Sequence, residues 1–416
     1  MNNPNQMLHE IQSSPFSKAV EQWSYPPSPP IAFPSPNVHK GIVTKRQQVW
    51  CQETGECTIS DVLQHSSSEI HRYHDFAFEL PGGLLHLTNC GEVRLCHVLQ
   101  KVYYAESNTL RYQRVKDKQV AIKIDNRQTM QQLHDDRTQG NNQHQPFPEN
   151  PWKEVAALQM IHSSENKGHN NNIIHLMEAL YDDRCLYEIL PYYPNDLYWL
   201  IHRELANGGL GEARARRYFI QLLHAIYVLH SQGICHRDIS SQNLLLDSSM
   251  ENLILIDFGM CLRIPYSYPD DHCTEDVTDS SAGTTRRLMH CQSHCGKLRF
   301  MAPEMYDCRE AFDGLAVDLW SAAVVLFEML TGRLPYQKPH ESDPGYHDLM
   351  DEKFYWDACN VNQVHSWGHP VSKEAVNLLK GMFRPDPKDR LTLAEVAAHP
   401  WVKEEHESAE PPLRDE

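Results

Sequence analysis

Three oxygen-bearing side chains in two short stretches are the residues of this chain best suited to chemistry. The stretches are "HRDISSQN" (His236 to Asn243) and "LILIDFGM" (Leu253 to Met260), and the side chains are Asp238, Asn243 and Asp257. Moving a phosphoryl group needs little covalent help. It needs a group that orients the attacking hydroxyl, and oxygens that hold Mg²⁺ against the phosphates. Asp238 suits the first task. Asn243, five residues on, and Asp257 suit the second, because hard Mg²⁺ prefers oxygen ligands.

Such residues must be held by rigid elements on either side of a cleft. From "EVRLCHVL" and "VYYAES" through "QVAIKI" the text reads as short β-runs. A polar insert, "DNRQTMQQLHDDRTQGNNQHQPFPEN", leads to a helical pattern, "WKEVAALQMI". After "CLYEILPYY" the chain turns helical, as in "GEARARRYFIQLLHAIYVLHSQG" and "DLWSAAVVLFEMLTG". Strand-rich text followed by helix-rich text implies two lobes with a cleft between them. Upstream, residues 1 to about 40 are rich in Pro, Ser and Asn and read as disordered or extended. "TISDVLQ" reads as a short capped helix, and no chemistry is assigned to that region. The end, "KEEHESAEPPLRDE", reads as a charged, frayed tail.

Bulk properties exclude several classes. A net charge of −17 over 416 residues argues against nucleic-acid and anionic-membrane partners, which reward basic patches. Twelve cysteines without a framework of spacings imply reduced thiols and an intracellular setting, cytoplasmic or nuclear. The start of the sequence has no apolar run of signal-peptide type. The most apolar window, "LAVDLWSAAVVLFEML", is too short and too charged to span a bilayer.

With those stretches in place, the chain resembles the eukaryotic protein kinases over roughly residues 90–403. The matching text is "VAIK" (Val120 to Lys123), Glu154 in "KEVAAL", "HRDISSQN", "DFG", "MAPE" (Met301 to Glu304), "DLWS" and "DPKDRLTLAEVAAHPW". Any one of these is weak evidence, whereas their common order is strong. The closing stretch looks most like the calcium/calmodulin-dependent group. The resemblance implies an α+β, bilobal fold with a five-stranded antiparallel small lobe and a helical large lobe. Its boundaries would be a largely disordered N-terminal extension at 1–85, a small lobe at 86–191, a large lobe at 192–405 and a charged tail at 406–416. The activation segment would be 257–304.

The resemblance also implies roles. Lys123 would hold ATP phosphates and pair with Glu154. Asp238 would take or orient the substrate hydroxyl proton, and Asn243 and Asp257 would bind Mg²⁺. Val102 and Ala121 would cover the nucleotide, with Leu190 as gatekeeper. Pro191 and Tyr193 would form the adenine hinge, and Asp196 would reach the ribose. Glu304 would pair with Arg390, and Asp318 would anchor the catalytic loop. A charged pair taken alone reads as structural, and the Glu304 pair is structural within the family too.

Three departures stand out. The family's glycine-rich loop has two registers here. One ends at Val102 and contains no glycine. The other ends at Val93 and contains Gly91. Better strand text and a shorter gap to Lys123 favour the first, with backbone amides from His97 to Lys101 facing the phosphates. Missing glycines hinder that approach, so ATP binding is expected to weaken. Secondly, serine/threonine kinases carry Lys two residues after the catalytic Asp and Thr before "APE". Here these are Ser240 and Lys297, as though exchanged. Either the Lys297 ammonium reaches Asp238 and the γ-phosphate, with Ser240 supplying the hydroxyl, or Lys297 is solvated. Thirdly, the activation segment spans 48 residues, and its polar middle is expected to be disordered at rest. Ser293 is the expected phosphosite, paired by Arg237, with Thr284 and Thr285 second. Three His-Cys dipeptides at 272, 290 and 294 have zinc-ligand chemistry, although redox-sensitive or solvated residues are the plainer readings.

The partners expected are protein substrates and an upstream activating kinase, with no nucleic acid and no membrane. Serine/threonine targets are favoured because the tyrosine-kinase "AAR" or "RAA" text is absent, and Gln242 speaks against simple arginine-directed specificity. A pseudokinase scaffold is the runner-up, motivated by the bare loop. A small-molecule phosphotransferase is disfavoured by "MAPE".

Overall fold

The computed structural model describes residues 33–66, 76–104, 109–138, 149–163, 172–204, 209–264, 266–267, 276–279, 284–287, 289–290, 294–308, 311–351 and 371–403. The expectations for residues 1–32 and 406–416 lie outside these. Where the sequence reading placed a largely disordered extension, the chain instead builds sheet. Four strands precede residue 88: β1 (His39–Trp50), β2 (Cys57–His65), β3 (Phe76–Leu80) and β4 (Gly83–Leu87). "TISDVLQ" lies within β2, where β-branched Thr58, Ile59 and Val62 pair with β1. Such residues favour a pleated surface over a helix.

The small lobe continues with β5 (Gly91–Tyr104), β6 (Thr109–Asn126), β7 (Glu178–Tyr181) and β8 (Cys185–Pro191). One sheet of eight strands, not five, results, in the order β3-β2-β1-β7-β8-β6-β5-β4. β3 also pairs with β5, and β1 with β6. Strands β1, β2, β3, β5 and β6 therefore close on themselves. Each contributes one residue to a small buried core of Val49, Val62, Ala77, Leu99 and Tyr112. A second core, including Leu63, Phe78, Cys96, Val120, Ile122 and Ile189, lies along the same sheet toward the cleft.

Two helices follow β6. The first, α1 (Arg127–Thr138), falls within the polar insert, and the second, α2 (Pro151–Ile161), carries Glu154. Asn150 caps α2 by accepting from the Lys153 N–H, with Pro151 at the first position. Val155, Leu158 and Ile161 bury its inner face.

The large lobe holds α3 (Leu197–Arg203), α4 (Glu212–Ser231), α5 (Pro303–Tyr306), α6 (Gly314–Thr331), α7 (Pro344–Met350), α8 (Lys373–Met382), α9 (Leu393–Ala398) and α10 (Pro400–Lys403). The apolar helix α6 is entirely buried, as expected of a core helix. Asp313 caps its start and Gly332, left-handed, ends it. Short strands frame the segments that carry Asp238, Asn243 and Asp257: β9 (Asn195–Asp196), β10 (Ile234–Cys235), β11 (Leu244–Leu246), β12 (Leu253–Leu255) and β13 (Leu262–Arg263). Beyond them the backbone forms β14 (Tyr266–Ser267), β15 (Asp276–Asp279), β16 (Thr284–Arg287), β17 (Met289–His290) and β18 (Ala311–Phe312). The middle of the long segment, expected to be disordered, thus contains a three-stranded sheet, β14-β16-β15. Thr284 and Thr285 lie on its central strand.

Candidate active site

Lys123 stands on β6 and Glu154 on α2, and their side chains meet in the cleft. Lys123 Nζ lies 2.6 Å from Glu154 Oε2, and both residues are buried. The other Glu154 oxygen accepts the Phe258 N–H at 3.1 Å. The Asn150 N–H donates to the Gly259 carbonyl at 3.2 Å. Helix α2 is thereby fixed to the stretch that carries Asp257, whose Oδ1 is 3.9 Å from Lys123 Nζ. Burial works to raise the Asp257 pKa, but Lys123, Lys297 and His236 outweigh it and hold the carboxyl below its usual range.

Asp318 of α6 shapes the loop between β10 and β11. Its Oδ1 accepts the Arg237 N–H and its Oδ2 the His236 N–H, both at 2.8 Å. These bonds hold Arg237 at φ 66, a left-handed geometry that a non-glycine residue adopts only when its surroundings impose it. The turn presents Asp238. Asn243 donates through Nδ2 to Asp238 O and Oδ2, each at 2.8 Å. Lys297 reaches the same carboxylate, its N–H donating to Oδ1 at 2.9 Å and its ammonium to Oδ2 at 2.8 Å. The ammonium also donates to Asn243 Oδ1 at 3.1 Å. Of the two readings left open for Lys297, the structure has the contact with Asp238. Ser240 is fully buried, and its hydroxyl has no hydrogen-bond partner.

The residues expected to bind metal lie on this floor. Asn243 offers Oδ1, and Asp257 Oδ1 is buried without a hydrogen bond. An oxygen-only donor pair of this kind fits Mg²⁺.

The sequence matches the protein kinase domain over residues 107–402. The chain belongs to the protein kinase domain family. Among its relatives is CBL-interacting protein kinase 9 of Oryza sativa subsp. japonica, 31% identical over 63% of this chain and 48% of that protein. The serine/threonine-protein kinase CHK1 of Mycosarcoma maydis is 34% identical over 47% of this chain and 25% of its own length. Maternal embryonic leucine zipper kinase of Xenopus laevis is 30% identical over 58% and 32%. The chain thus spans between a quarter and a half of each of these three. The family match begins after β5, so the roof of the cleft lies outside it.

That roof corrects the favoured loop register. β4 and β5 form a hairpin whose turn, Thr88 to Cys90, is closed by a bond from the Thr88 N–H to the Gly91 carbonyl. In the β5–β6 ladder Val93 pairs with Lys123, whereas Val102 pairs with Arg111 near the far tip. Nine residues of strand separate the two valines, about 30 Å at 3.3 Å per residue, so Val102 is remote from the kinase cleft. The amides of His97 to Lys101 sit within β5, paired to β6 and β3. Val93 is therefore the roof residue that the favoured register passed over. The thirty-residue gap that counted against the Val93 register is simply a long hairpin. Gly91 is required there: a Cβ would lie 1.9 Å from the Ile124 carbonyl oxygen.

In the β6–β8 ladder Leu190 lies opposite Ala121 and Pro191 opposite Val120. Leu190 and Tyr193 pack against the main core. Asp196 is at the cleft edge, where its Oδ1 caps α3 by accepting the Trp199 N–H at 2.6 Å. Glu304 and Arg390 form a buried two-bond pair at 2.8 and 3.0 Å.

Glu149, absent from the sequence reading, also belongs to the site. It accepts from Asn89 of the roof turn at 3.3 Å and packs on Gly259. Burial first, then Asp257, push its pKa up to about 7. Its only sequence signal is its place just before the cap of α2. Ser293, His272, Cys273 and Cys291 lie outside the described residues. Cys295 is buried, with Sγ 3.3 Å from Arg237 Nη1. Among the described residues no three His, Cys, Asp or Glu side chains converge as a metal site.

Proposed function

We propose that this protein is an ATP-dependent serine/threonine kinase that transfers the γ-phosphate to hydroxyls of protein substrates. The observation that carries this reading is the convergence, in one cleft, of the Lys123–Glu154 pair with Asp238, Asn243 and Asp257. Asn243 and Asp257 would hold Mg²⁺, which when bound supplies positive charge against the phosphate oxygens. Lys123, kept charged by the carboxylates around it, adds fixed charge on the roof side. Asp238, oriented by Asn243 and Lys297, positions the attacking hydroxyl and receives its proton. Serine/threonine choice is supported by relatives named as such kinases.

The test is Mg-ATP binding and turnover on a generic basic protein, comparing the native chain with Asp238→Asn. Turnover is expected to fall by about 10³-fold or more in the variant. Binding without Asp238-dependent transfer would instead support the pseudokinase reading, which is favoured by a roof turn, Thr88 to Cys90, without glycine.

Control through the activation segment forms part of this proposal. Arg237 is buried, and its guanidinium donates to the Met260 carbonyl and the Cys295 sulfur. Among the described residues it has no carboxylate partner, which suits it to receive a phosphate at Ser293 from an upstream kinase. Ser293→Ala is expected to lose the activity gained on phosphorylation. Equal activity in both chains counts against this control.

A further inference from the structure

The charge next to Asp238 does not come from the catalytic loop. The loop's own cation, Arg237, points away to Met260 and Cys295. Ser240, two residues beyond Asp238, brings only a buried hydroxyl without a partner. The ammonium that reaches Asp238 Oδ2 and Asn243 Oδ1 belongs to Lys297, on the far end of the activation segment. Its side chain is 33% exposed, so it is reached by solvent while it holds Asp238.

Docking of the segment sets that position. Gly296 has φ 81 and lies so close to the loop that a Cβ would stand 2.4 Å from Arg237 O and 3.0 Å from Asp238 Oδ1. Cys295 Sγ meets Arg237 Nη1 on one side. On the other, the Phe300 N–H donates to Lys297 O and Ser321 Oγ donates to Phe300 O, at 2.9 and 2.8 Å. The ammonium is present at Asp238 only while residues 295–300 pack in this way.

We propose that Lys297 is a catalytic residue that binds the transferring γ-phosphoryl group, and that the activation segment delivers it. This rests on the kinase reading above. In the transfer, the substrate oxygen bonds to the γ-phosphorus as the bond to the β–γ bridging oxygen breaks. ADP leaves with that electron pair, and the hydroxyl proton passes to Asp238. Negative charge on the γ-oxygens then faces Lys297. In a water-poor cleft, losing one such donor typically costs about 10²–10³ in rate. Segment order and catalytic charge become one event, so a displaced segment leaves nucleotide bound yet poorly turned over.

The test separates the γ-phosphate from the rest of the nucleotide. Binding of Mg-ADP and of a non-hydrolysable Mg-ATP analogue is measured by calorimetry for the native chain, Lys297→Thr and Gly296→Ala. Both variants are expected to bind the analogue about 10-fold more weakly, or worse, while keeping native ADP affinity, which also reports that they are folded. Should Lys297→Thr lose ADP binding too, Lys297→Gln, which keeps length and hydrogen bonding without charge, takes its place. Equal losses for both nucleotides, or none, in a variant with a native melting temperature overturn the proposal. The result does not depend on turnover. A native chain lacking Asp238-dependent transfer sinks the kinase reading alone, while a γ-selective loss still locates Lys297 at that phosphate.

Discussion

Lys123 is held among four carboxylates, Glu154, Asp257, Glu188 and Asp125. Burial favours losing its proton, but these neighbours win and keep it charged well above the usual lysine range. Glu188 lies directly opposite on β8 and is buried with neither oxygen hydrogen-bonded. Burial, then Glu154, push its pKa well up. Asp125, two residues along β6, is pushed up to about 6, chiefly by burial and against the pull of Lys123. Both acids bind protons more tightly folded than unfolded. Their contribution to stability is therefore present below the unfolded carboxyl pKa and is lost as pH rises through about 6 for Asp125 and higher for Glu188. Urea unfolding from pH 4.5 to 7 is expected to show this decline, and Asp125→Asn/Glu188→Gln should flatten it by more than the roughly 2 kcal/mol that Asp125 alone contributes. An unchanged slope rejects this account. At the same scale, Ser240→Lys/Lys297→Thr returns an ammonium to the catalytic loop. Its kcat is expected to exceed that of Lys297→Thr by about 10-fold, most of one charge contact. Asp238, Asn243 and Asp257 were legible because their chemistry fixes residue type and order. Glu188 and Glu149 were not, since a buried acid has no spacing rule and shows itself only when its neighbours are known.

The roof hairpin shows how elements, more than motifs, place the site. Text resembling a kinase strand drew the loop register toward Val102, while the ladder between β5 and β6 sets it at Val93. Glycine number was a poor guide, because what matters is where a side chain cannot fit: at Gly91, and at Gly82 just before β4, where a Cβ would lie 1.8 Å from the Leu95 carbonyl oxygen. The neighbouring turn is built from other groups: Thr88 Oγ1 accepts the Gly91 N–H at 2.9 Å, and the Asn126 N–H donates to the Cys90 carbonyl at 2.9 Å. A side chain at Gly91 must push β5 off Ile124, one residue from Lys123. Gly91→Ala is expected to cost about 1–3 kcal/mol and to weaken ATP binding. Gly83→Ala is its control, since a Cβ there meets nothing within 4 Å and should alter stability by less than about 0.5 kcal/mol. Melting temperatures and nucleotide titrations of the two variants check the pair; equal behaviour removes the steric argument. The helices were readable because their 3.6-residue pattern and caps are local. The strands upstream of residue 88 were not, because beyond their local hairpins β1 and β3 also need partners farther along the chain, as Phe78 pairs with Val98 and Val49 with Tyr112.

For the molecule as a whole, β1, β2 and β3 are structural members of the small lobe, although the family match starts only at residue 107. Their strands complete the ring with β5 and β6, so the hairpin that roofs the cleft is also the wall of a second core. Leu63, Phe78 and Leu80 further pack against Cys96, Val98, Val120 and Ile122, on the strands that carry Gly91 and Lys123. Truncating one buried leucine or phenylalanine to alanine costs about 2–5 kcal/mol. Losing three together approaches or exceeds the roughly 5–15 kcal/mol that holds a domain folded. A chain beginning at residue 82 keeps every residue assigned to chemistry, yet is expected to lose a stable small lobe. It should melt at a lower temperature or fail to accumulate in soluble form, and bind Mg-ADP weakly. Leu63→Ala in the full chain tests the same dependence without truncation and should lower the melting temperature while leaving residues 82–416 intact. If the shortened chain melts and binds Mg-ADP as the full chain does, the upstream strands are an appendage, and the cleft is supported by the matched domain and its own roof alone.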